Sequence, residues 1–321
     1  MLNSPLNALW CVSANPAIDK RLHVSALTPG RVNRASAVRA MPGGKAAHVA
    51  MVLRILGTDP LWLGFSGGRS GEQLVSGLRA LGIRVHHVTA DQDTRVNLEI
   101  IDEQGCVTEL LEPGSALTDE NWREFYRAYE ALLSEEKSSG LVIASGSVPP
   151  GTDPDIYRRL TELAHQYGHK MFLDTSGEPL RRALAFRPDF IKPNREEAEG
   201  ITGGTIGDLH GAMALAERLI QLGARSVVVS LGHEGLLWHL GAGQEVYHAQ
   251  PVRVKVRSTV GCGDATVAAF VYAVSAGLRV EETLSLAAAC GAANCLAESP
   301  GRIREQDVRN LQMQVQIEKL S

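Results

Sequence analysis

A short run of residues, Ser258 to Asp264, places two glycines and a carboxylate directly before an apolar segment. That segment, Ala265 to Gly277, is rich in small residues and predicts a buried helix. Gly261 and Gly263 allow backbone N–H groups to turn toward one anion, and the positive end of the helix dipole lies at the same place. Asp264 then has two possible roles: the N-terminal cap of the helix, or a general base beside a bound phosphate.

A second glycine pair lies in the segment Met41 to Lys45, which leads into a helix predicted to begin near Ala46. By the same physics, Gly43 and Gly44 predict a second anion site with the lysine ammonium beside it. The segment is not a Walker A loop, because alanine rather than serine or threonine follows the lysine. A structural turn is the alternative. Two anion sites together are what a phosphoryl donor and a phosphoryl acceptor would require.

Two further residues are candidates for binding a substrate. Asp19 follows the first predicted strand in the sequence Asn-Pro-Ala-Ile-Asp, where a short acid can hold sugar hydroxyls by charge-assisted hydrogen bonds. Arg95 begins a later strand and could pair with a substrate phosphate. The alternatives are an Asn-Pro turn with a solvated aspartate, and a solvated arginine.

The segment Lys192 to Glu197 follows a predicted strand and begins a helix. Asn194 is a good N-cap and Glu197, three residues later, supplies half of a capping box. The functional interpretation is that these two residues orient water on Mg²⁺ near a triphosphate, since hard cations take oxygen ligands and keep several waters. Both interpretations can hold at once.

The segment Ser230 to Gly235 ends another strand, and its glycines allow a flat ligand such as a purine to approach the backbone. A plain hairpin turn is the alternative. We expect His233 to be a solvated turn residue. The sequence contains no HExxH motif and no serine, histidine and aspartate order typical of a hydrolase.

The elements that must position these residues alternate between short apolar runs and helical patterns such as Ala47 to Leu56. This alternation predicts an α/β fold with a doubly wound, mostly parallel sheet, whose ligands bind at the carboxyl ends of the strands. The predicted strands are Leu9 to Ala14, Leu61 to Phe65, Gly140 to Ser145, Lys170 to Asp174, Phe190 to Lys192 and Ser226 to Leu231.

Two stretches break the alternation, 20–40 and 94–112. Their alternating residues predict half-exposed antiparallel strands that leave the main sheet as a small β lid, or else two surface hairpins. The remaining ranges, 1–19, 41–93 and 113–321, form the predicted main nucleotide- and substrate-binding domain. The apolar lid faces need cover, so a partner subunit is expected.

Composition excludes several classes of protein. The 321 residues are 44% hydrophobic with a formal net charge of −4, which suits a globular chain and gives no field to hold nucleic acid. The first residues lack a basic start and a long apolar region, and no run of apolar residues is long enough to span a membrane, so we expect a soluble, cytoplasmic protein. Five cysteines without a CxxC pair indicate neither a disulfide framework nor a zinc site.

Together these motifs resemble those of the PfkB or ribokinase-like carbohydrate kinases, closest to the branch of fructose-1-phosphate and tagatose-6-phosphate kinases. The resemblance covers nearly the whole chain. The matching segments, in order, are NPAID (15–19), PGRVNR (29–34), PGGK (42–45), TR (94–95), SGSVPPG (145–151), KPNREE (192–197), VSLGHEG (229–235) and STVGCGDA (258–265).

The resemblance implies a ribokinase-like fold, ATP with Mg²⁺, and a homodimer formed through the β lid. It implies that Asp264 is the base, that backbone amides of Gly261, Cys262 and Gly263 hold developing charge, and that Glu197 lies near the metal. It also assigns a substrate side and a nucleotide side. The substrate residues are Asp19, Gly43, Gly44, Lys45, His48 and Arg95; the nucleotide residues are Lys192, Asn194, Ser230, Gly232, Gly235, Thr259 and Asn294.

The chain departs from the branch at one motif. The usual GGKGxNVA is GGKAAHVA here, so Ala46 replaces a glycine and His48 replaces an asparagine that helps to hold sugar hydroxyls. A neutral imidazole has one donor and one acceptor, unlike an amide, and could read a different hydroxyl pattern. We expect an ATP-dependent kinase of a hexose phosphate. The alternatives are a kinase of an unphosphorylated sugar or nucleoside, or a non-catalytic sugar- or nucleotide-binding regulator.

Overall fold

The computed structural model describes residues 8–321. Residues 1–7 lie outside the described residues; they belong to the first predicted domain range and to the N-terminal stretch considered for a targeting signal. The strands form one ten-stranded and one four-stranded sheet. They are β1 (Leu9–Ser13), β2 (Ala17–Val24), β3 (Ala37–Gly43), β4 (Leu61–Ser66), β5 (Arg84–Thr89), β6 (Arg95–Asp102), β7 (Val107–Leu110), β8 (Leu141–Ser145), β9 (Lys170–Asp174), β10 (Phe190–Ile191), β11 (Val227–Ser230), β12 (Leu236–His239), β13 (Val246–Ala249) and β14 (Ile317–Lys319).

The helices alternate with the strands of the large sheet, and no helix within residues 8–321 is long and apolar enough to cross a membrane. They are α1 (Lys45–Ile55), α2 (Gly68–Ala80), α3 (Asp119–Glu135), α4 (Ile156–Gln166), α5 (Gly177–Leu184), α6 (Arg195–Thr202), α7 (Leu209–Gln221), α8 (Cys262–Ala276), α9 (Val280–Leu296) and α10 (Glu305–Gln312).

The large sheet has the order β14-β13-β12-β11-β10-β9-β8-β1-β4-β5. Its strands are parallel from β11 to β5, and β12 to β14 extend it by antiparallel pairing. The predicted doubly wound, mostly parallel sheet is therefore confirmed. The six predicted strands all form, and no end differs from the expected one by more than one residue.

Two helical layers cover the two faces of this sheet. Successive residues of β1 point to opposite faces, so Leu9 and Cys11 belong to one buried apolar cluster while Trp10 and Val12 belong to another. The first cluster includes side chains from α1, α2, α8, α9 and α10, and the second includes side chains from α3 to α7. This double burial explains why the central strands are continuous apolar runs.

The small sheet has the order β3-β2-β6-β7, so the two stretches that break the alternation pair with each other. The expectation of antiparallel strands is wrong for the central pair, because β2 and β6 run parallel from Ala17↔Arg95 to Val24↔Asp102. The alternative of two separate surface hairpins is wrong for the same reason. Strand β2 begins before residue 20 and β3 ends after residue 40, so both strands reach from the small sheet into the loops of the large one.

Candidate active site

Both glycine nests lie at the N-termini of helices. Gly44 has a φ of 87° and precedes α1, while Gly261 has a φ of 80° and precedes α8. These are left-handed or extended positive-φ conformations that glycine adopts at little cost. Gly43 is required for a different reason, because a Cβ atom there would overlap the carboxylate of Asp19. Each nest therefore depends on glycine for its backbone path.

Asp264 is not the N-cap of its helix, so the capping interpretation is wrong. Helix α8 begins three residues earlier than the apolar run suggests, with Gly261 as its N-cap and Asp264 as its third residue. The Asp264 side chain is buried, with 5% of the residue exposed, and its Oδ2 atom lies 2.8 Å from Nδ1 of His48. No hydrogen bond from a described residue reaches its Oδ1 atom. The carboxylate is held by a side chain and not by the helix terminus.

His48 bridges two carboxylates. Its Nε2 atom lies 2.9 Å from Oδ2 of Asp19, although the two are not aligned as a hydrogen bond, and its Nδ1 faces Asp264. Burial alone would lower the pKa of His48, but the hydrogen bonds and charges of both carboxylates outweigh it and raise the pKa to about 10. With that pKa the ring is protonated on both nitrogens at neutral pH, and it links Asp19 to Asp264.

Asp19 is also contacted by Asn97 on β6, whose Nδ2 donates to Oδ1 at 2.9 Å. Burial raises the pKa of Asp19, but the hydrogen bonds and positive charges around it prevail, chiefly those of His48, and the pKa is lowered from its ordinary value. The Oδ1 atom of Asn97 is buried and has no partner among the described residues. Sequence reasoning missed Asn97, because only the β2–β6 pairing brings it to Asp19.

Lys45 lies at the first residue of α1, between two acids. Its Nζ atom is 3.5 Å from Oδ2 of Asp174 and 4.0 Å from Oε1 of Glu197. The charge of Asp174 is the largest cause that raises the pKa of this lysine, against the effect of burial. The ammonium therefore faces the crevice between α1 and α6, and its predicted contact with a substrate phosphate stays a prediction.

Asp174 is a site residue that sequence reasoning missed. It ends β9, is 2% exposed, and lies 3.5 Å through its Oδ1 from Nζ of Lys192. Burial raises its pKa, but the charges of Lys192 and Lys45 outweigh burial, so the pKa of Asp174 is lowered. Its position at the carboxyl end of a buried strand was the available signal, since ligands of such sheets bind there.

Lys192 lies beneath the glycine nest of α8. A Cβ atom added to Gly263 would be 3.1 Å from the Lys192 Nζ atom, and the lysine side chain is 5% exposed. Among the nest amides, the Cys262 N–H donates to the Thr259 carbonyl at 3.2 Å, whereas no hydrogen bond to a described residue engages those of Gly261 and Gly263. The Cys262 amide thus takes part in a turn bond while the two glycine amides are available, and anion binding by the three amides stays a prediction.

The sulfur atom of Cys262 lies 3.2 Å from that of Cys295 on α9. The hydrogen bond with Cys295, followed by burial, raises the pKa of Cys262, so its thiol stays protonated. Cys262 thus contributes packing and backbone geometry rather than a nucleophile.

Arg95 donates to backbone carbonyls rather than to a carboxylate. Its guanidinium bonds Glu112 O at 2.8 Å and Asn15 O at 2.9 Å, and its buried Nε has no partner among the described residues. Burial is the main cause that lowers the pKa of Arg95. Because carbonyls carry no formal charge, the Arg95 guanidinium forms no direct ion pair with a described residue, and it lines a cavity with Asn15 and Thr94.

The predicted capping box at α6 is present in full. The Asn194 side chain accepts from the Glu197 N–H at 2.8 Å, and Oε2 of Glu197 accepts from the Asn194 N–H at 2.9 Å. Oε1 of Glu197 accepts no hydrogen bond from a described residue, so it is available to a ligand. Asn194 also forms a parallel bridge with Ser230, which brings the two predicted nucleotide segments together.

The turn after β11 is a short 3₁₀ helix, Gly232–Glu234, between antiparallel strands. Gly232 has a φ of 63° and Gly235 a φ of 94°, and a Cβ atom on Gly235 would overlap the Ala249 carbonyl. The His233 side chain is 93% exposed, as expected for a solvated turn residue.

The remaining two predicted nucleotide residues have structural contacts. Thr259 is exposed and accepts the turn bond described above. Asn294 is 2% exposed; its Nδ2 donates to Val260 O at 2.7 Å and its Oδ1 accepts from Gly301 N at 2.9 Å. Asn294 thus fixes the loop before α8, and a direct contact with a nucleotide stays a prediction.

A buried ion pair attaches the small sheet to this loop. Arg21 on β2 donates to both oxygens of Glu99 on β6 at 2.8 Å, and Ser258 Oγ donates to Glu99 Oε1 at 2.6 Å. Arg21 also donates to the carbonyl of Glu298. The small sheet, the loop before α8 and the segment after α9 are therefore joined through the Arg21–Glu99 ion pair.

The crevice holds four carboxylates and four basic side chains within one neighbourhood, and such a balanced set suits binding of a substrate that brings its own charge. The acids are Asp19, Asp174, Glu197 and Asp264, and the bases are Lys45, His48, Arg95 and Lys192. Among residues 8–321, no group of three or more acidic, histidine or cysteine side chains could hold a metal ion without other ligands.

The sequence pattern of the pfkB family carbohydrate kinases matches residues 12–306. A relative named 1-phosphofructokinase from Bacillus subtilis is 30% identical over 312 residues, which cover 97% of this chain and 100% of the relative. A protein of the same name from Rhodobacter capsulatus is 36% identical over 281 residues, covering 87% of each chain. The crystal structure of phosphofructokinase-2 from Escherichia coli in complex with fructose-6-phosphate has a TM-score of 0.87 at 27% identity, covering 96% of this chain and 99% of that chain.

Proposed function

Because the chain belongs to the pfkB family of carbohydrate kinases, we propose that it transfers the γ-phosphoryl group of ATP to a hydroxyl of a hexose phosphate. The name of the relatives, 1-phosphofructokinase, makes fructose 1-phosphate the first acceptor to consider, and the motif resemblance adds a tagatose 6-phosphate type of acceptor as the second. The single observation that carries the mechanism is the buried Asp264 carboxylate, held through one oxygen at the mouth of the α8 nest.

In the proposed reaction Asp264 is the general base. The acceptor O–H bond breaks and its proton passes to the free Oδ1 atom of Asp264, while the acceptor oxygen forms a bond to the γ-phosphorus. The bond from that phosphorus to the bridging oxygen breaks, and ADP leaves with the electron pair. A base with one fixed oxygen and one free oxygen can take this proton without first reorienting.

The protein's other contribution is stabilisation of charge. The free N–H groups of Gly261 and Gly263, the N-terminal dipole of α8 and the Lys192 ammonium beneath it all favour negative charge on the transferred group. Asp174 keeps Lys192 and Lys45 in place between the nest and the crevice.

The metal expected with ATP is Mg²⁺, and the described residues fit it through Glu197. The free Oε1 of Glu197 would orient a water on the ion, and Mg²⁺ commonly binds through one or two carboxylates plus substrate phosphates rather than a protein cage. When bound, the ion supplies neutralisation of the phosphate charge. The predicted nucleotide residues around it, Lys192, Asn194 and the Ser230–Gly235 turn, are proposed to bind ATP.

On the substrate side, we propose that Asp19 and Asn97 bind sugar hydroxyls and that Arg95 and Lys45 supply charge for the sugar phosphate. The unpartnered Asn97 Oδ1 and Arg95 Nε support this, because buried polar atoms without partners are uncommon and are often completed by a ligand. The glycines Gly43 and Gly44 keep the backbone close to Asp19.

We also propose a homodimer formed through the small sheet, in the cytoplasm where ATP is available. Four large apolar side chains in and beside this sheet are exposed, namely Val32, Val38, Leu110 and Leu111. A tetrameric form is among the structures of the related Escherichia coli phosphofructokinase-2. Sedimentation velocity of the protein and of a Val38→Lys, Leu110→Lys variant tests this proposal, with a monomeric wild type as the contradicting result.

The function is tested by ADP release with Mg-ATP and a panel of acceptors: fructose 1-phosphate, fructose 6-phosphate, tagatose 6-phosphate, fructose and adenosine. We expect the highest kcat/KM with a hexose phosphate. Turnover only with fructose, or only with adenosine, would instead indicate a kinase of an unphosphorylated sugar or of a nucleoside. No turnover with any acceptor, together with tight ligand binding, would indicate a regulator.

A further inference from the structure

The His48 side chain connects the two carboxylates that the proposed reaction uses in different ways. We propose that His48 is a positioning residue, which holds Oδ2 of Asp264 through a protonated ring anchored on Asp19 and so presents Oδ1 to the acceptor hydroxyl. This inference rests on the proposed function. It adds a role for His48, which stands where similar kinases have an asparagine.

The geometry requires a charged ring. Nδ1 lies 2.8 Å from Asp264 and Nε2 lies 2.9 Å from Asp19, so each ring nitrogen faces a carboxylate oxygen. A neutral imidazole has only one N–H group, and its other nitrogen would direct a lone pair at a carboxylate. Only the imidazolium carries an N–H group on both nitrogens, so that Nδ1 can bond Asp264 while Nε2 places positive charge beside Asp19.

The surroundings of the ring favour that charge. His48 is 4% exposed, and packing fixes its backbone, since a Cβ atom on Gly301 would lie 3.2 Å from the His48 Cα. Three acids and two bases lie near the ring and its two partners, and they come from five elements, namely the helix of His48 itself and four others. They are Asp19 on β2, Arg95 on β6, Glu109 on β7, Lys45 on α1 and Asp264 on α8.

The two oxygens of Asp264 have different roles in this arrangement. Oδ2 is held by the imidazolium, and Oδ1 receives no hydrogen bond from a described residue. An asparagine at position 48 would carry both of its N–H donors on one nitrogen and would bring no charge, so it could not stabilise two facing carboxylates in the same way. The ring also occupies space beside Asp19 where an amide would otherwise meet sugar hydroxyls.

The kinetic test compares the wild type with His48→Asn and His48→Ala over a range of pH. We expect kcat to fall by about 10- to 100-fold, because small displacements of a reacting group cost this much. In the wild type, kcat should also fall as the pH rises through about 10, where the His48 ring loses its proton, and His48→Asn should lack this alkaline limb. The control is His86→Asn at an exposed histidine of β5, which should change neither quantity.

A second measurement needs no substrate. In protein labelled with ¹⁵N-histidine, the His48 ring should show two protonated nitrogens at pH 8, and Asp264→Asn should lower the pH at which this form is lost. A His48 ring with one protonated nitrogen at pH 8, or the same alkaline limb in the wild type and in active His48→Asn, would overturn the inference while leaving the kinase activity standing. Absence of phosphoryl transfer to every acceptor would instead contradict the proposed function.

Discussion

The Nζ atom of Lys192 lies 3.5 Å from Oδ1 of Asp174, and the two side chains are almost completely buried beneath the α8 nest. Asp174 also contacts Lys45. Replacing one member of this buried group is costly, because its partner is left as an uncompensated buried charge. The pair thus places positive charge under the two free glycine amides, where a transferred phosphoryl group would need it.

We therefore expect Lys192→Met to lower kcat by about 10²- to 10³-fold, the loss typical of one group that stabilises transition-state charge. The KM for the sugar phosphate should change little, since this ammonium faces the nest and not Asp19. Steady-state kinetics check both values. Lys137→Met, at an exposed lysine after α3, is the matched control, and a kcat for Lys192→Met within threefold of that control would refute the role.

The Arg21–Glu99 pair should contribute strongly to stability only as long as both partners are present. Arg21→Met leaves the Glu99 carboxylate buried, and we expect the free energy of unfolding in urea to fall by about 3 to 5 kcal/mol. Replacing both residues by apolar ones should recover much of that loss. The exposed pair Arg39–Glu298 is the control, because Arg39→Met should cost about 1 kcal/mol or less. Equal losses at the two sites would contradict this account.

The raised pKa of His48, about 10, predicts how stability depends on pH. The ring is protonated in the folded protein and neutral in the unfolded chain between about pH 6.5 and the folded-state pKa. Its stabilisation is complete below that window and is lost as pH rises through it, with a slope of up to about 1.4 kcal/mol per pH unit. Chemical unfolding of the wild type and His48→Asn at a series of pH values measures the difference; parallel curves would contradict the prediction.

Gly43 is expected to tolerate no side chain, because the Asp19 carboxylate fills the space beside it. The Cβ atom of Gly43→Ala would overlap the Asp19 carboxylate, so we expect a higher KM for the sugar phosphate, by about tenfold or more, with ATP binding preserved. Gly200→Ala is the control in helix α6, where the added Cβ meets no atom within 4 Å. That substitution should leave the kinetics unchanged and raise the free energy of unfolding by about 0.5 to 1 kcal/mol. An unaltered KM in Gly43→Ala would argue against sugar binding at Asp19.

Local sequence signals predicted the parts of the site that depend on short segments. Asn194 and Glu197 are three residues apart, and their capping box is present in full. Six of the ten strands of the large sheet were predicted, because short apolar runs mark strands that are buried on both faces. The start of α8 was placed too late, since Cys262 and Gly263 are poor helix formers although they lie in its first turn.

Contacts between distant segments could not be predicted in the same way. Asp174 carries no motif and reaches the site only because β9 ends beside β10. Asn97 meets Asp19 through a parallel pairing between strands about eighty residues apart in sequence. His48 could be recognised as a departure, but its contact with Asp264 depends on how α1 packs against α8.

The central claim is that Asp264 is the base of a sugar phosphate kinase, and the most direct test is ADP release by Asp264→Asn with Mg-ATP and the best acceptor of the panel. The amide keeps the shape of the side chain but cannot take the proton. We predict that kcat falls by about 10²- to 10⁴-fold while the Kd for ATP stays unchanged. A kcat equal to that of the wild type would contradict the account.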